Sequence, residues 1–416
     1  MPELPDISAL TEQLFRSSYR KLVGILARYF GLKELALAED IVQETLLEAL
    51  EQWPATAVPR NPEAWLMDVA KKKTINRLRR DQLLQQKILP GLEAPENSFA
   101  HAEAFDELLS DSTLRMLFAC CHPALAAEAQ LALALKNLCG LSVPSIASAL
   151  LSSESTINKR LYRARQKFRT QAIPFEVPAQ PQLEARIESV LQVLYLLFSE
   201  GHHSRHSEHS IRAELCYEAI RLLRLLLEAF PNQPNAKALL ALMLLHAARL
   251  ESRVGNAGML LTLMEQDRSQ WNQQLLSEGM ELLHQSIATP QASVWQLRAG
   301  IAAEHSLAPH FEATNWRSVA RQYALLQQLD KSPMVALNHQ IARFFASHEA
   351  DALQAITALG ATGSLVGNAL YHATLAILLH RTGAPSAARQ QKDLALQHAI
   401  GPAELQQLAH RLKYVD

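Results

Sequence analysis

The chain has 416 residues, 49% of them hydrophobic and 19% charged, with a formal net charge of −1. That length implies two or three domains of about 100–200 residues each, and the composition excludes global disorder while leaving ample apolar side chains for a core. The near-zero net charge neither demands nor excludes a nucleic-acid partner, because binding depends on where charge sits.

Apolar residues recur at spacings of three and four along nearly the whole chain, with no convincing alternating stretch, and there are only 14 glycines. The pattern predicts an all-α protein. Cys120, Cys121, Cys139 and Cys216 lie in apolar helical patterns without CxxC spacing, which fits buried thiols in a reducing compartment. The start, MPELPDISALTEQLF, has no basic segment ahead of an apolar one, so no signal peptide is expected. No apolar run reaches the roughly 18 residues of a membrane span. A cytoplasmic protein with no membrane partner is expected.

Residues 8–82 read as helical segments broken at Gly31 and at the Pro-rich stretch Trp53–Pro62. Within LALAEDIVQETLLEALEQW, Asp40, Gln43 and Glu44 form a polar, acidic patch, and Ile41, Leu46, Leu47 and Leu50 are expected in the core. Asn61 and Pro62 start the next helix, whose inner face is Trp65, Leu66 and Val69. It runs into KKKTINRLRR, with Lys71, Lys72, Lys73, Arg77, Arg79 and Arg80 and no acid. Residues 83–110 form a looser linker with Pro90, Gly91 and Pro95.

Residues 111–172 form a second compact helical block. In LSVPSIASALLSSESTINKRLYRARQKFR, Ser142 caps a short helix with Pro144 early in it, where a missing N–H is harmless. Ser152 and Ser153 make a turn, and either can cap the next helix, whose apolar stripe is Ile157, Leu161, Ala164 and Phe168. This is a helix-turn-helix pattern, whose second helix enters the major groove with its N-terminal residues against base edges. Ser155, Thr156, Lys159 and Arg160 are then base or phosphate readers, while Arg163, Arg165 and Lys167 hold backbone phosphate. Two basic runs, each ending an amphipathic helix, point toward phosphate contact.

The stretch Asp111–Phe168, including LFACCHPAL, resembles region 4 of the sigma-70 family, in its compact extracytoplasmic-function type. The resemblance implies recognition of the promoter minus-35 element. The segment holding Asp40, Gln43 and Glu44 resembles region 2.2, which implies docking on the clamp coiled coil of core RNA polymerase. NPEAWLMDVAKKKTINRLRR resembles regions 2.3 and 2.4, which implies capture of an unstacked minus-10 base by Lys71, Lys72, Lys73, Asn76, Arg77, Arg79 and Arg80, the basic side chains guiding the single strand. Members usually have an Asn near position 72 and an Asp near position 76. Lys72 and Asn76 depart from that pattern, which bears on the exact minus-10 preference.

The linker IPFEVPAQPQ, with three prolines, marks a boundary, and residues 182–416 read as Leu/Ala-rich helices. Tyr371–Gln397, with Ala373, Ala376, Leu379, Gly383, Ala387 and Ala395, fits a close-packed helix pair of tetratricopeptide length. Residues 233–249 and 333–359 have the same helix-turn-helix flavour. YLLFSEGHHSRHSEHSIRAELCYEAIRL and LMEQDRSQW resemble the C-terminal extension of the same sigma subgroup, which implies regulation in cis through intramolecular contact with the sigma domains. Glu200 and the string Glu265, Gln266, Asp267, Arg268 and Trp271 are candidates for an interdomain contact.

Cys120, Cys121 and His122 supply too few ligands for zinc. His202, His203, His206 and His209 have a spacing that could bind zinc or sense pH, but with no carboxylate or thiol clearly completing a site they read as a His-rich polar loop. No triad, phosphate loop or HExxH motif is present, so no metal, cofactor or catalysis is expected. The alternative reading is a helical-repeat scaffold whose basic helices bind nucleic acid without directing transcription.

Overall fold

The computed structural model describes residues 7–56, 58–80, 102–150, 152–202, 212–255, 260–287, 291–361, 363 and 365–415. These residues form helices and turns with one isolated antiparallel bridge, Val254–Leu260, and no strand, as the spacing of apolar residues predicts. Among them, no helix is long and apolar enough to cross a membrane. The chain divides into two compact units, residues 1–197 and 198–416.

The N-terminal unit begins with α1 (Ile7–Phe30), a 3-10 turn (Leu32–Glu34), α2 (Leu35–Thr56) and α3 (Pro62–Arg80). Gly31 separates α1 from the turn with φ +74°, and its N–H closes on the Ala27 carbonyl at 2.9 Å. A left-handed residue at this point favours glycine. Next come α4 (Ala102–Cys120), α5 (Ala127–Asn137), α6 (Val143–Ala149) and α7 (Glu154–Thr170), then α8 (Leu183–His202), within which the unit boundary falls.

α5 is the axle of the second block. Every residue from Ala129 to Asn137 is buried, and it packs on α4, α6 and α7. It stops at Gly140 (φ +68°), where the Leu141 N–H reaches back to the Leu135 carbonyl at 3.0 Å. That is the wrap that closes helices on a left-handed glycine. The two blocks of this unit share packing, α1 lying against α4 and α5 and α7 against the Leu32–Glu34 turn.

The C-terminal unit holds α9 (Ala213–Ala229), α10 (Pro234–Ala247), α11 (Gln273–Gln285), α12 (Val294–Leu307), α13 (Trp316–Leu329), α14 (Pro333–Phe345), α15 (Glu349–Ala361), α16 (Ala369–Arg381), α17 (Pro385–Gln397) and α18 (Pro402–Arg411). Consecutive helices pack on one another from α12 to α18. First helices start at 294, 333 and 369 and their partners at 316, 349 and 385, a period near the ~34 residues of tetratricopeptide repeats. In α16 and α17 the close contact is made by Ala373, Ala376, Ala388 and Ala395. Ala387, expected there, faces outward because one residue moves a side chain by about 100° around a helix. Residues 333–359 are a helix pair. Residues 233–249 hold a single helix, α10, whose partner α11 follows only after the turns of 251–270.

Candidate nucleic-acid and polymerase interfaces

α7 has the cap and the apolar stripe expected of it. Ser153 caps it, its Oγ accepting the Thr156 N–H at 3.2 Å, and Ser142 caps α6 with Pro144 in the first turn. Ile157, Leu161, Ala164 and Phe168 are all buried. Ser153→Ala is expected to destabilise the N-terminal unit by about 1 kcal/mol in urea unfolding, the usual cost of losing a side-chain N-cap. An unchanged midpoint would remove the cap's energetic role.

The opposite face of α7 is open. Ser155, Asn158, Lys159, Tyr162 and Arg163 are exposed, with Tyr162 at 61%. Asn158 and Tyr162 join the expected readers on this face, at helical spacing from Ser155 and Lys159, where a helical projection finds them. Thr156 instead serves the cap, its Oγ1 lying 2.9 Å from the Ser153 Oγ. Arg160 is half-buried. Arg165 leaves the group altogether, donating to the Glu39 carboxylate of α2.

In α2, Asp40, Gln43, Glu44 and Leu47 share one exposed face. Leu47 and Leu50 were expected in the core but are 58% and 48% exposed. The inward stripe is Ala38, Ile41, Val42, Thr45 and Ala49, small or β-branched side chains that let α1 and α3 approach closely. Thr45 satisfies its hydroxyl on the Ile41 carbonyl at 2.8 Å. Trp65 packs edge-on against the buried Trp53, ring centres 5.6 Å apart, so it belongs to the aromatic core of this block.

The basic run on α3 divides between faces. Ala70 and Thr74 point inward. Lys72 is exposed and pairs with Asp68 at 2.7 Å. Lys73, held by Glu48 of α2 at 2.8 Å, joins Asn76 and Arg77 in a groove of about 430 Å³ completed by Leu37, Asp40, Ile41, Gln43, Glu44 and Leu47. The residues expected to meet polymerase and part of those expected to meet the minus-10 strand therefore line one groove. Lys71 is half-buried on the same helix. The side chains of Arg79 and Arg80 lie outside the described residues.

The remaining motifs are absorbed by local structure. Cys120, Cys121 and Cys139 are buried in the core, and burial pushes the Cys121 thiol up to about 12. His122 turns inward to accept the Ala124 N–H at 3.1 Å. His202 is buried and its ring lies 5.0 Å from that of His246, while His203, His206 and His209 lie outside the described residues. Arg268 stacks over Trp271 and donates to the carbonyls of His305 and Ala308 at the end of α12, at 2.5 and 2.6 Å. Glu265 meets His410 of α18 at 3.0 Å, so this polar string serves contacts within its own unit. Burial, with Arg249 and Arg268 nearby, depresses His305 to about 4.

Comparison with known proteins agrees with this arrangement. Residues 14–83 match the model of sigma-70 region 2 and residues 115–168 that of sigma-70 region 4. Residues 186–287 match a family of unknown function (DUF6596). An uncharacterized protein of Rhizobium meliloti (strain 1021) is 34% identical over 404 residues, covering 96% of this chain and 94% of its own. No solved structure matches. With region 2, region 4 and a helical extension in one chain, the protein belongs to the sigma-70 family, as an extracytoplasmic-function-like factor that binds RNA polymerase and recognises promoters.

Proposed function

We propose that this sigma factor docks on core polymerase through Asp40, Gln43 and Glu44 of α2, with Leu47 as the apolar centre of the contact. It reads the minus-35 element with the outward face of α7, through Ser155, Asn158, Lys159, Tyr162 and Arg163. Lys71, Lys72, Lys73, Asn76, Arg77, Arg79 and Arg80 of α3 guide the opened minus-10 strand. The observation that carries the reading is the outward face of α7: a capped helix with a sealed apolar stripe leaves one polar, basic and aromatic surface, the chemistry that reads base edges and phosphate. No bond chemistry is asked of the protein, since promoter opening draws on binding free energy.

The C-terminal unit regulates this activity in cis. Support comes from its position in the same chain and from its stacked helix pairs, which offer an extended surface to a peptide or to another face of the chain. Run-off transcription with purified core polymerase tests the main reading. A promoter-specific transcript is expected, and its absence under every activating condition would return the chain to a helical-repeat scaffold that binds nucleic acid. For the extension, the chain should end at Leu197 rather than in the Pro-rich linker. α8 is needed by the N-terminal unit, because Arg186 donates to the Phe118 carbonyl at 2.6 Å. Equal transcript from that chain and the full one would make the extension dispensable.

A further inference from the structure

We propose that the C-terminal unit carries a binding site for a small tetrahedral oxyanion, a phosphate group above all, built from Arg249, Arg253, Arg268, Trp271 and His305. It uses no residue of α2, α3 or α7, so it stands whether or not those helices read a promoter.

The chain assembles the site in the excursion between α10 and α11. Arg249 lies two residues past the end of α10, and Arg253 closes a 3-10 turn, Glu251–Arg253. The Leu261 N–H then bonds the Arg253 carbonyl at 2.8 Å, and a second 3-10 turn, Arg268–Gln270, packs on the first. The Asn272 N–H closes on the Ala248 carbonyl at 2.8 Å, which brings the backbones of Trp271 and Arg249 together. The Arg268 guanidinium lies over the Trp271 ring, 4.7 Å from its centre, and reaches the last turn of α12, where His305 stands.

Positive charge is concentrated here without the acid that would ordinarily offset it. Arg249 donates to His246 Nδ1 at 3.0 Å, Arg253 to the His202 carbonyl at 2.9 Å, and Arg268 to the carbonyls of His305 and Ala308. All of these acceptors are uncharged. Among the described residues, no carboxylate lies within ion-pair reach of the three guanidinium groups. Two acids act on the edge of the group. Glu312 attracts Arg268 but is engaged with His310 at 3.2 Å, and Glu265 attracts Arg411 while it holds Thr262 and His410. Burial, then the charges of Arg253 and Arg268, lowers the Arg249 guanidinium to about 9, and burial lowers Arg253 to about 10. Crowded like charges disfavour the charged forms, and a bound anion reverses that.

Three donors in the same cluster lack acceptors. Among the described residues, Arg268 Nη2, Trp271 Nε1 and His305 Nδ1 are buried atoms with no hydrogen-bond partner. Trp271 is 3% exposed, and a buried indole N–H, a donor only, usually finds a partner. His305 Nδ1 is a donor in one neutral tautomer. Capping of α12 explains Nη1 of Arg268 and leaves Nη2 unused. Stacking explains the Arg268 and Trp271 pair, but neither the idle N–H groups nor the presence of Arg249 and Arg253 beside them.

Donors from three separate residues suit the oxygens of a tetrahedral anion better than the two coplanar oxygens of a carboxylate. Guanidinium groups match phosphate oxygens in geometry and are more weakly hydrated than an ammonium, which suits a recessed site. The recess also argues for a small ligand over a nucleic-acid backbone, since Trp271 and Arg253 are only 3% and 6% exposed.

The indole N–H of Trp271 reports the site in the full chain, with isotope-labelled tryptophan and Trp271→Phe to assign its signal among the five. Titrating inorganic phosphate at constant ionic strength should move that signal and saturate with a Kd of about 1 mM or tighter, as three charge-assisted hydrogen bonds imply. Sulfate should act alike, and acetate should leave the signal in place. Arg249→Gln should weaken phosphate binding by about tenfold or more, the loss of one hydrogen bond to a charged group. Arg249→Lys, which keeps the charge, should recover part of that loss. The other indole signals, unmoved in both variants, separate a lost ligand from a lost fold, and the wild-type titration decides even where a variant does not fold. A Trp271 signal indifferent to phosphate, or one that drifts without saturating by about 10 mM, would overturn the site. So would equal binding by Arg249→Gln, or a response to duplex DNA without one to phosphate.

Discussion

Lys159→Ala with Arg163→Ala should weaken binding to minus-35 DNA by roughly 100-fold while leaving the helix intact. Both side chains stand on the exposed face of α7 and have no carboxylate partner to lose among the described residues. A hydrogen bond to a charged group contributes about 1.5–3 kcal/mol, so two lost phosphate contacts multiply to roughly 100-fold even at the lower end of that range. The slope of log affinity against log salt should become shallower by about two, one for each contact removed. Asn158→Ala should behave differently. Asparagine reads adenine through a bidentate contact, so its loss should cut discrimination between sites by about 1–3 kcal/mol and hardly alter the salt slope. Arg160, half-buried, should contribute less than either basic neighbour. If the double variant binds promoter and random DNA as the wild type does, α7 is not the reader.

Arg165 does not behave like its neighbours in that helix, and the reason shows where sequence reading stops. The run Lys159–Arg169 presents six cations, and spacing alone cannot tell which one faces solvent and which one turns toward a distant acid. The partner is Glu39, in a different block of the chain. Helical period does locate the stripe Ile157, Leu161, Ala164 and Phe168, and cap chemistry locates Ser142 and Ser153, because both depend on neighbours within one or two turns. The repeat period of the C-terminal unit is legible for the same reason in α16 and α17. It fails at 233–249, where the partner helix lies beyond a long excursion of the chain.

The α2 face illustrates the opposite difficulty. Leucine at positions 47 and 50 reads as core by hydropathy, yet between Leu35 and Trp53, buried towards its two ends, the apolar core side of α2 is made of Ala38, Ile41, Val42, Thr45 and Ala49. Hydropathy ranks Leu above Ala and Thr, but close approach of α1 and α3 favours the smaller side chains. The leucines are left outside, beside Asp40 and Glu44. Exposed leucine within an acidic patch is a signal for a partner that sequence alone assigned to the interior, and it turns the polymerase expectation from a charge argument into a mixed one.

That mixture gives the second large effect. Asp40→Ala with Glu44→Ala should lower affinity for core polymerase about tenfold at low salt, mainly through slower association, and the difference should shrink as ionic strength rises. Rim charges steer encounter and are screened over roughly 10 Å at 0.1 M salt. Leu47→Ala should act on dissociation instead. At 58% exposure in the free chain, its side chain has most of its apolar surface still to bury, and full burial of a leucine contributes about 1.5–3 kcal/mol. Its loss should weaken docking by roughly 4- to 20-fold at any salt concentration. The two effects should add nearly independently if the patch surrounds an apolar anchor, since charge acts before contact and burial after it. Binding kinetics at two salt concentrations separate them. A Leu47→Ala variant with unchanged dissociation, alongside an Asp40/Glu44 pair whose loss makes no difference at low salt, would make this face of α2 a solvated helix surface and move the polymerase contact elsewhere on the unit.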